Sequence, residues 1–392
     1  MASRSRQING FMDSPANSPI LILTNEFAPA RGGIATYVEE TARAAAECKR
    51  EVVVWAPGIP RRDDASLPFT VRRLGLRGNQ NWPDRLRLRR ALRRAPVNWE
   101  QTTLYLPEPG PIRLWLYAGW LGLPRPGRLV LTFHGSELLY LGAWPHRRGR
   151  LARLCARADR IGVVSQYVLD LLEKTVPRAG AKAVVVPGAP AHAYAALAAD
   201  ARPNPAPPSP SHPFRLVSVA RVHPRKGIDL ALDAIARLPA ELRHRIRYDI
   251  IGPARKPAYA RELSRKAREA DVTLNFLGTL DERQIAGIFR AADLLLFPSR
   301  ELPKSVEGLG LSILEAALLG LPTVATHTGG TGEAVENGVT GLLVPPDDPA
   351  ALATVLESCL RNPALRHHLG AKAADRIPSR FSWKRNAEAL FT

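Results

Sequence analysis

The chain has 392 residues, enough for two or three domains, each with a sizeable core. Its 45% apolar and 23% charged content is that of a soluble globular protein and excludes wholesale disorder. Lys and Arg outnumber Asp and Glu by 55 to 36, and the resulting +19 favours polyanions: nucleic acid, an anionic membrane face or phosphorylated substrates.

Cys48, Cys155 and Cys359 stand far apart without a C-x-x-C pair, so no disulfide framework is expected and a reducing compartment fits. The first 19 residues lack the apolar core of a signal peptide. The longest apolar candidate, 114–123, is about half the roughly 20 residues that a spanning helix needs. Any membrane contact is therefore expected to be peripheral.

In chain order, ILILT at 20–24 reads as a buried strand, followed by a Gly-Gly loop and a helix over 34–47. A strand at 51–56 leads into a polar loop, and a strand at 102–106 into a helix near 112–121. A strand at 129–133 precedes a helical stretch to about 158. A strand at 161–164 precedes a helix opened by Ser165, and AVVVP closes the series. Strands alternating with helices predict a parallel sheet covered on both faces.

Residues 202–213, RPNPAPPSPSHP, contain six prolines and can form neither helix nor central strand. They read as a stiff linker between domains at 19–201 and 214–372. After it the alternation resumes, with strands at 214–220, 248–251, 273–276, 294–297 and 323–325. Helices are expected at 228–236, 259–270, 281–291 and 311–319. The C-terminal helix in 373–392 is expected to pack back on the first domain. Two doubly wound α/β domains face each other across a cleft at their strands' carboxyl ends, where such sheets bind ligands.

Four motifs fall at those ends. EGLGLSILEAALLGLPTVAT, 307–326, sets Glu307 in a Gly-rich loop and Glu315 about one turn into a helix. Gly308 and Gly310 allow close backbone approach, the helix N-terminus can hold an anion, and the two carboxylates can accept from sugar hydroxyls. ARVHPRKGIDLALDAI sets Arg221 and Lys226 around a Pro turn, a pair suited to a diphosphate; Arg225 between them reads as surface charge. PARGGIATYVEE offers amides at Gly32 and Gly33, and LTFHGSEL sets His134 at the edge of the first sheet. Each alone also fits a plainer reading: a solvated pair, surface charge, a tight turn or a loop-capping histidine. No G-x-x-x-x-G-K-[ST] occurs, so P-loop hydrolysis has no support.

Together, in this order and spacing, the four motifs resemble glycosyltransferase family 4, retaining nucleotide-sugar enzymes of GT-B fold, over about 20–392. RVHPRKG and VEGLGLSILEA look most like the branch containing phosphatidylinositol-mannoside mannosyltransferases. The resemblance implies that Arg221 and Lys226 neutralise the donor diphosphate and Glu315 holds the ribose. It implies that Glu307 with the backbone of Gly308, Leu309, Gly310 and Leu311 grips the donor sugar. His134 would sit by the transferred sugar, with Gly32 and Gly33 near the diphosphate and acceptor. The reaction would proceed by same-face attack, helped by preorganised positive charge. Departures from the family pattern are Pro253-Ala254 after YDIIG, VVVPGAP without Asn-Gly, and Thr331-Gly332 before Glu333. No D-x-D occurs, so no metal is expected; the nucleotide sugar is a substrate, and no cofactor is expected.

The stretch WPDRLRLRRALRRA, 82–95, places Leu88, Ala91, Leu92 and Ala95 on one stripe among six arginines. With Arg72, Arg73 and Arg77 upstream, the region 72–94 is expected to lie on an anionic membrane that presents a glycolipid; a solvated basic helix remains the alternative. Nucleic acid is not an expected partner, for want of an aromatic-interleaved face. The expectation is a cytoplasmic hexosyltransferase, peripheral at the membrane face, moving sugar from GDP-mannose or a UDP-sugar to a glycan or lipid-linked acceptor. Its rivals are a glycan synthase, an epimerase, which the Glu307/Glu315 and Arg221/Lys226 set disfavours, and a non-catalytic polyanion binder on a degenerate scaffold.

Overall fold

The computed structural model describes residues 18–76, 82–198 and 213–392. The first 17 residues, Arg77 and the Pro-rich stretch 202–213, Pro213 apart, lie outside the described residues.

Two parallel sheets organise the chain. The first joins β1 (Ile20–Leu23), β2 (Val52–Ala56), β3 (Thr70–Arg73), β4 (Thr103–Leu106), β5 (Arg128–Phe133), β6 (Arg160–Val163) and β7 (Ala183–Val185) in the order β3-β2-β1-β4-β5-β6-β7. The second joins β8 (Phe214–Val219), β9 (Ile246–Ile251), β10 (Thr273–Gly278), β11 (Leu294–Phe297), β12 (Thr323–Thr326) and β13 (Gly341–Val344) in the order β10-β9-β8-β11-β12-β13. Both are Rossmann-like α/β sheets. The central strands β1, β4, β11 and β12 are buried at every residue, because helices cover both faces of the sheet.

Three differences from the expected elements have local causes. The polar loop after β2 contains β3, an edge strand of sequence TVRR that pairs with β2 and alternates in exposure, so it carries no apolar run. The stretch ending near 158 is two helices, Ser136–Gly142 and Pro145–Arg157, the second opened by proline at its first turn. The helix near 112–121 is likewise two, Pro109–Trp115 and Ala118–Leu121, the latter ended by left-handed Gly122 at φ 58°.

The C-terminal helix Trp383–Phe391 belongs to the first sheet's core rather than the second's. Its Leu390 and Phe391 are buried among Ile20, Val38 and Val54. Arg50 and Arg128 donate to the Phe391 carbonyl at 3.0 and 2.7 Å.

The strand order reverses between β1 and β4, and between β8 and β11. Loops leaving these strands in opposite directions open a crevice at each reversal. The two crevices meet. A Cβ on Gly308, after β11, would lie 2.3 Å from the carbonyl oxygen of His134, after β5. Ser136 Oγ donates to the Val306 carbonyl at 3.2 Å and accepts from the Val306 N–H at 3.1 Å.

Candidate active site

The centre of the site is a buried cluster of three charges. At the end of β8 the chain turns through Pro224–Lys226, and His223 caps the turn with Nδ1 accepting from the Arg225 N–H at 3.2 Å. Gly227 at φ 63° then brings the backbone onto the segment after β11; a Cβ there would stand 1.8 Å from the Pro298 carbonyl, so only glycine fits. That approach delivers Lys226 Nζ and Arg225 Nη1 to Glu307 Oε2 at 2.6 and 2.7 Å. The three side chains are 11–14% exposed.

Burial alone would raise the Glu307 carboxyl. Lys226, then Arg225, overcome that and hold it at about 2, so Glu307 is an anion throughout the physiological range. Burial lowers the Lys226 ammonium, with Glu307 resisting the shift. Arg225, read from sequence as surface charge, is thus a central member; what places it is the turn geometry, which the sequence does not display. Arg221 is exposed on the same loop and acts on Lys226 at longer range.

Glu315 occupies the opposite electrostatic setting. It lies on the helix Leu311–Leu318, which starts from Gly310 at φ 98° with no side-chain cap. Burial first, then repulsion from Glu282 and Glu40, raises its carboxyl to about 8. Glu40 is itself pushed up to about 7 by burial, though it accepts from the His192 N–H at 3.0 Å. The two glutamates of one motif are therefore driven apart: one is clamped as an anion, the other holds its proton at neutral pH.

Across the junction, His134 Nε2 is 2.8 Å from the Pro107 carbonyl. A carbonyl only accepts, so a ring proton sits on Nε2, and in the neutral ring Nδ1 is the acceptor. The Tyr37 ring meets the imidazole edge-on at 5.1 Å. Beneath it, buried Glu137 accepts the His134 N–H. Fully buried Glu108 accepts from the N–H groups of Asn25 and Gly110 at 2.8 and 2.6 Å, tying the loop after β1 to the loop after β4. Burial lifts Glu108 to about 7. Gly33 faces the start of the second domain's helix, its would-be Cβ 3.7 Å from Leu311 Cδ1, while Gly32 borders open space. Leu309 is buried beneath the Gly308–Gly310 loop.

The candidate residues thus gather at one junction, and four residues that were not among the candidates join them: Arg225, read as surface charge, Glu333, named only beside a departure from the family pattern, and Glu108 and Glu137. Glu333 spans the halves, its carboxylate accepting from the Gln166 and Tyr167 N–H groups at 2.7 and 3.0 Å at the start of the helix Gln166–Thr175. The acid three residues after His134 and the one preceding Pro109-Gly110 both have the look of helix-start residues. For Glu333 the signal was its place in the family pattern, after Thr331-Gly332, which does not tell that it reaches across to the first domain. Among the described residues, no group of three His, Cys, Asp or Glu side chains could hold a metal ion.

The basic helix is present as Trp82–Arg94, but its stripe points inward. Leu88 and Leu92 are buried in the first domain's core, so they are not available for insertion into lipid. Arg73 is structural as well: its side chain is 2% exposed, pairs with Asp64 at 2.6 Å and donates to the Pro57 carbonyl. Arg87, Arg90, Arg93 and Arg94 remain exposed. Arg89 donates to the Leu121 carbonyl at 2.5 Å, which sets this face beside Trp120, 77% exposed. No helix among the described residues is long and apolar enough to cross a membrane.

Residues 31–189 match the family model described as Glycosyltransferase Family 4, and residues 204–376 that described as Glycosyl transferases group 1. A glycogen synthase of Mycobacterium tuberculosis is 30% identical over 275 residues, 70% of this chain but only 58% of the synthase, under two thirds of that relative's length. The GDP-mannose-dependent monoacylated alpha-(1-6)-phosphatidylinositol monomannoside mannosyltransferase of Corynebacterium glutamicum is 25% identical, covering 96% of this chain and 97% of the relative. Sucrose-phosphate synthase from Thermosynechococcus elongatus superposes with a TM-score of 0.73 over 95% of this chain and 97% of the other, at 20% identity, a likeness of fold.

Proposed function

Starting from the fact that the chain belongs to the glycosyltransferases that these two models describe, we propose that it moves a hexosyl group, with retention, from a nucleotide diphosphate sugar to a glycan or lipid-linked acceptor. GDP-mannose or a UDP-sugar is the donor in this reading. The observation that carries it is the clamp of Lys226 and Arg225 on Glu307, 2.6 and 2.7 Å apart, at the junction with His134.

In the transfer, the bond from the sugar's anomeric carbon to the diphosphate breaks as the acceptor oxygen bonds to the same face. The acceptor's proton passes to the departing diphosphate. Lys226, Arg225 and the exposed Arg221 offset the charge that builds on that leaving group, and preorganised charge in a water-poor site is the strongest such aid. Glu307, held as an anion, cannot serve as the acid; it accepts hydrogen bonds from sugar hydroxyls and orients the ring. The backbone of Gly308, Leu309, Gly310 and Leu311 lies against the same sugar. Glu315 takes the ribose hydroxyls, Gly32 and Gly33 flank the acceptor, and His134 presents Nδ1 to the transferred sugar. With these cations supplying the charge and no D-x-D in the sequence, transfer needs no metal and persists in EDTA.

The acceptor reaches the site from an anionic membrane on the cytoplasmic side, approached through the exposed arginines of the helix Trp82–Arg94. Incubation with GDP-mannose, UDP-glucose and ADP-glucose tests the assignment: one donor releases its nucleotide diphosphate, and NMR of the product shows the donor's anomeric configuration. Absence of turnover together with no thermal shift from any nucleotide overturns it in favour of a polyanion-binding role.

A further inference from the structure

The loop after β9, where the family pattern is broken by Pro253-Ala254, carries Arg255 and Lys256 and is seated against the loop after β8. Gly252 runs so close that a Cβ would lie 2.2 Å from the Ala220 carbonyl, and the Val222 N–H donates to the Pro253 carbonyl at 3.1 Å. This places Lys256 Nζ 3.2 Å from His223 Nε2.

That contact has no acceptor in it. His223 Nδ1 already receives the Arg225 N–H, so in the neutral ring the proton sits on Nε2. Nε2–H and the Lys256 ammonium are then two donors facing each other. Arg221, Arg225 and Lys226 add to the positive field; burial, then Lys256 and these three, lowers the basicity of His223. Nearby carboxylates are already engaged: Glu307 with Lys226 and Arg225, and Asp229 with Arg300 and the Tyr259 hydroxyl. Lys256 also stands at the N-cap of the 13-residue helix Pro257–Glu269, which has no side-chain cap and turns its positive end to the same place.

We propose that His223 Nε2–H and Lys256 Nζ form a phosphoryl-oxygen subsite, beside Arg221, that takes a phosphate of the donor nucleotide. One oxygen placed between the two donors accepts from both and relieves their opposition. The inference rests on the reading of this half as a nucleotide-diphosphate site, and it adds two residues to those the family resemblance supplies.

Calorimetric titration of the full chain with GDP, UDP and ADP, and with inorganic pyrophosphate and phosphate, decides the matter. Lys256→Met weakens the best nucleotide diphosphate about tenfold, the size of one charge-assisted hydrogen bond, and Lys256→Arg restores most of it. His223→Asn keeps a capping side chain but removes Nε2–H, and weakens binding in the same direction. In turnover, kcat/KM for the donor falls by at least the factor lost in affinity. Unchanged affinity in Lys256→Met and His223→Asn, with wild type binding normally, overturns the subsite and leaves the functional reading standing. Loss of inorganic phosphate binding alone, with nucleotide binding intact, assigns the subsite to free phosphate and overturns the donor assignment. No nucleotide binding by wild type overturns both.

Discussion

Lys226 Nζ stands 2.6 Å from Glu307 Oε2 although 81 residues separate them in sequence. The turn of Gly227 against the Pro298 carbonyl makes this contact, and it binds the loop after β8 to the Gly-rich loop after β11. Lys226→Ala leaves Glu307 with Arg225 alone and removes the cation nearest the proposed leaving group. Transfer is expected to fall by about 10²–10³ in kcat, the effect of removing one preorganised electrostatic contact. Initial rates with a saturating donor measure it, and near-wild-type activity refutes the phosphate role.

The raised carboxyl of Glu315 sets a pH dependence of stability. Its folded value is about 8 against 4.5 for the free group, so between those values the folded state holds a proton that the unfolded chain has released. Stability is therefore lost as pH rises through 4.5 to 8. Glu315→Gln removes the loss: the variant should melt a few degrees above wild type at pH 8 and no higher at pH 4, while binding donor nucleotide less tightly. Equal melting at pH 8 would place the raised carboxyl elsewhere. Glu307, held at about 2, has the opposite sign, contributing stability above pH 4.5 that fades as pH falls toward 2.

Gly308 is one of the places where the halves touch. Alanine there would drive a Cβ to 2.3 Å from the His134 carbonyl, which cannot move without displacing Glu137 and the imidazole. Gly308→Ala should hold the junction apart and lower kcat/KM by more than about tenfold, since ångström-scale misplacement is that costly. Gly149 supplies the contrast: it sits in the helix Pro145–Arg157 with open space around it, and alanine there should stabilise by about 0.5–1 kcal/mol with activity unchanged. Rates and thermal melts of both variants separate the two effects.

The outward arginines of the helix Trp82–Arg94 make a membrane test direct. Replacing Arg87, Arg90, Arg93 and Arg94 with glutamine should abolish co-sedimentation with anionic vesicles, each contributing about 1 kcal/mol near such a surface. Turnover on a water-soluble acceptor should be unaffected. Equal recovery of wild type with neutral and anionic vesicles would rule out the electrostatic docking.

The +19 charge and the apolar runs of the sequence determined much of this protein. Continuous buried strands such as ILIL and LLLF and the Pro-Gly punctuation implied two parallel α/β sheets, because period and turn chemistry are local properties of the chain. The motif glycines and charges marked the strand ends at which a site belongs. Tertiary structure alone decided how each charge is used. Arg225 and Arg221 are four apart and chemically identical, yet the turn at Gly227 buries one against Glu307 and leaves the other in solvent. Glu307 and Glu315 look like a pair in sequence, but their ionisation depends on cations and carboxylates brought in from distant segments. The arginine helix showed its periodicity plainly, and only packing revealed that Leu88 and Leu92 face the core. Electrostatic work and burial depend on neighbours in space, whereas propensity and periodicity depend on neighbours in sequence, and the division between what was legible and what was not follows that line.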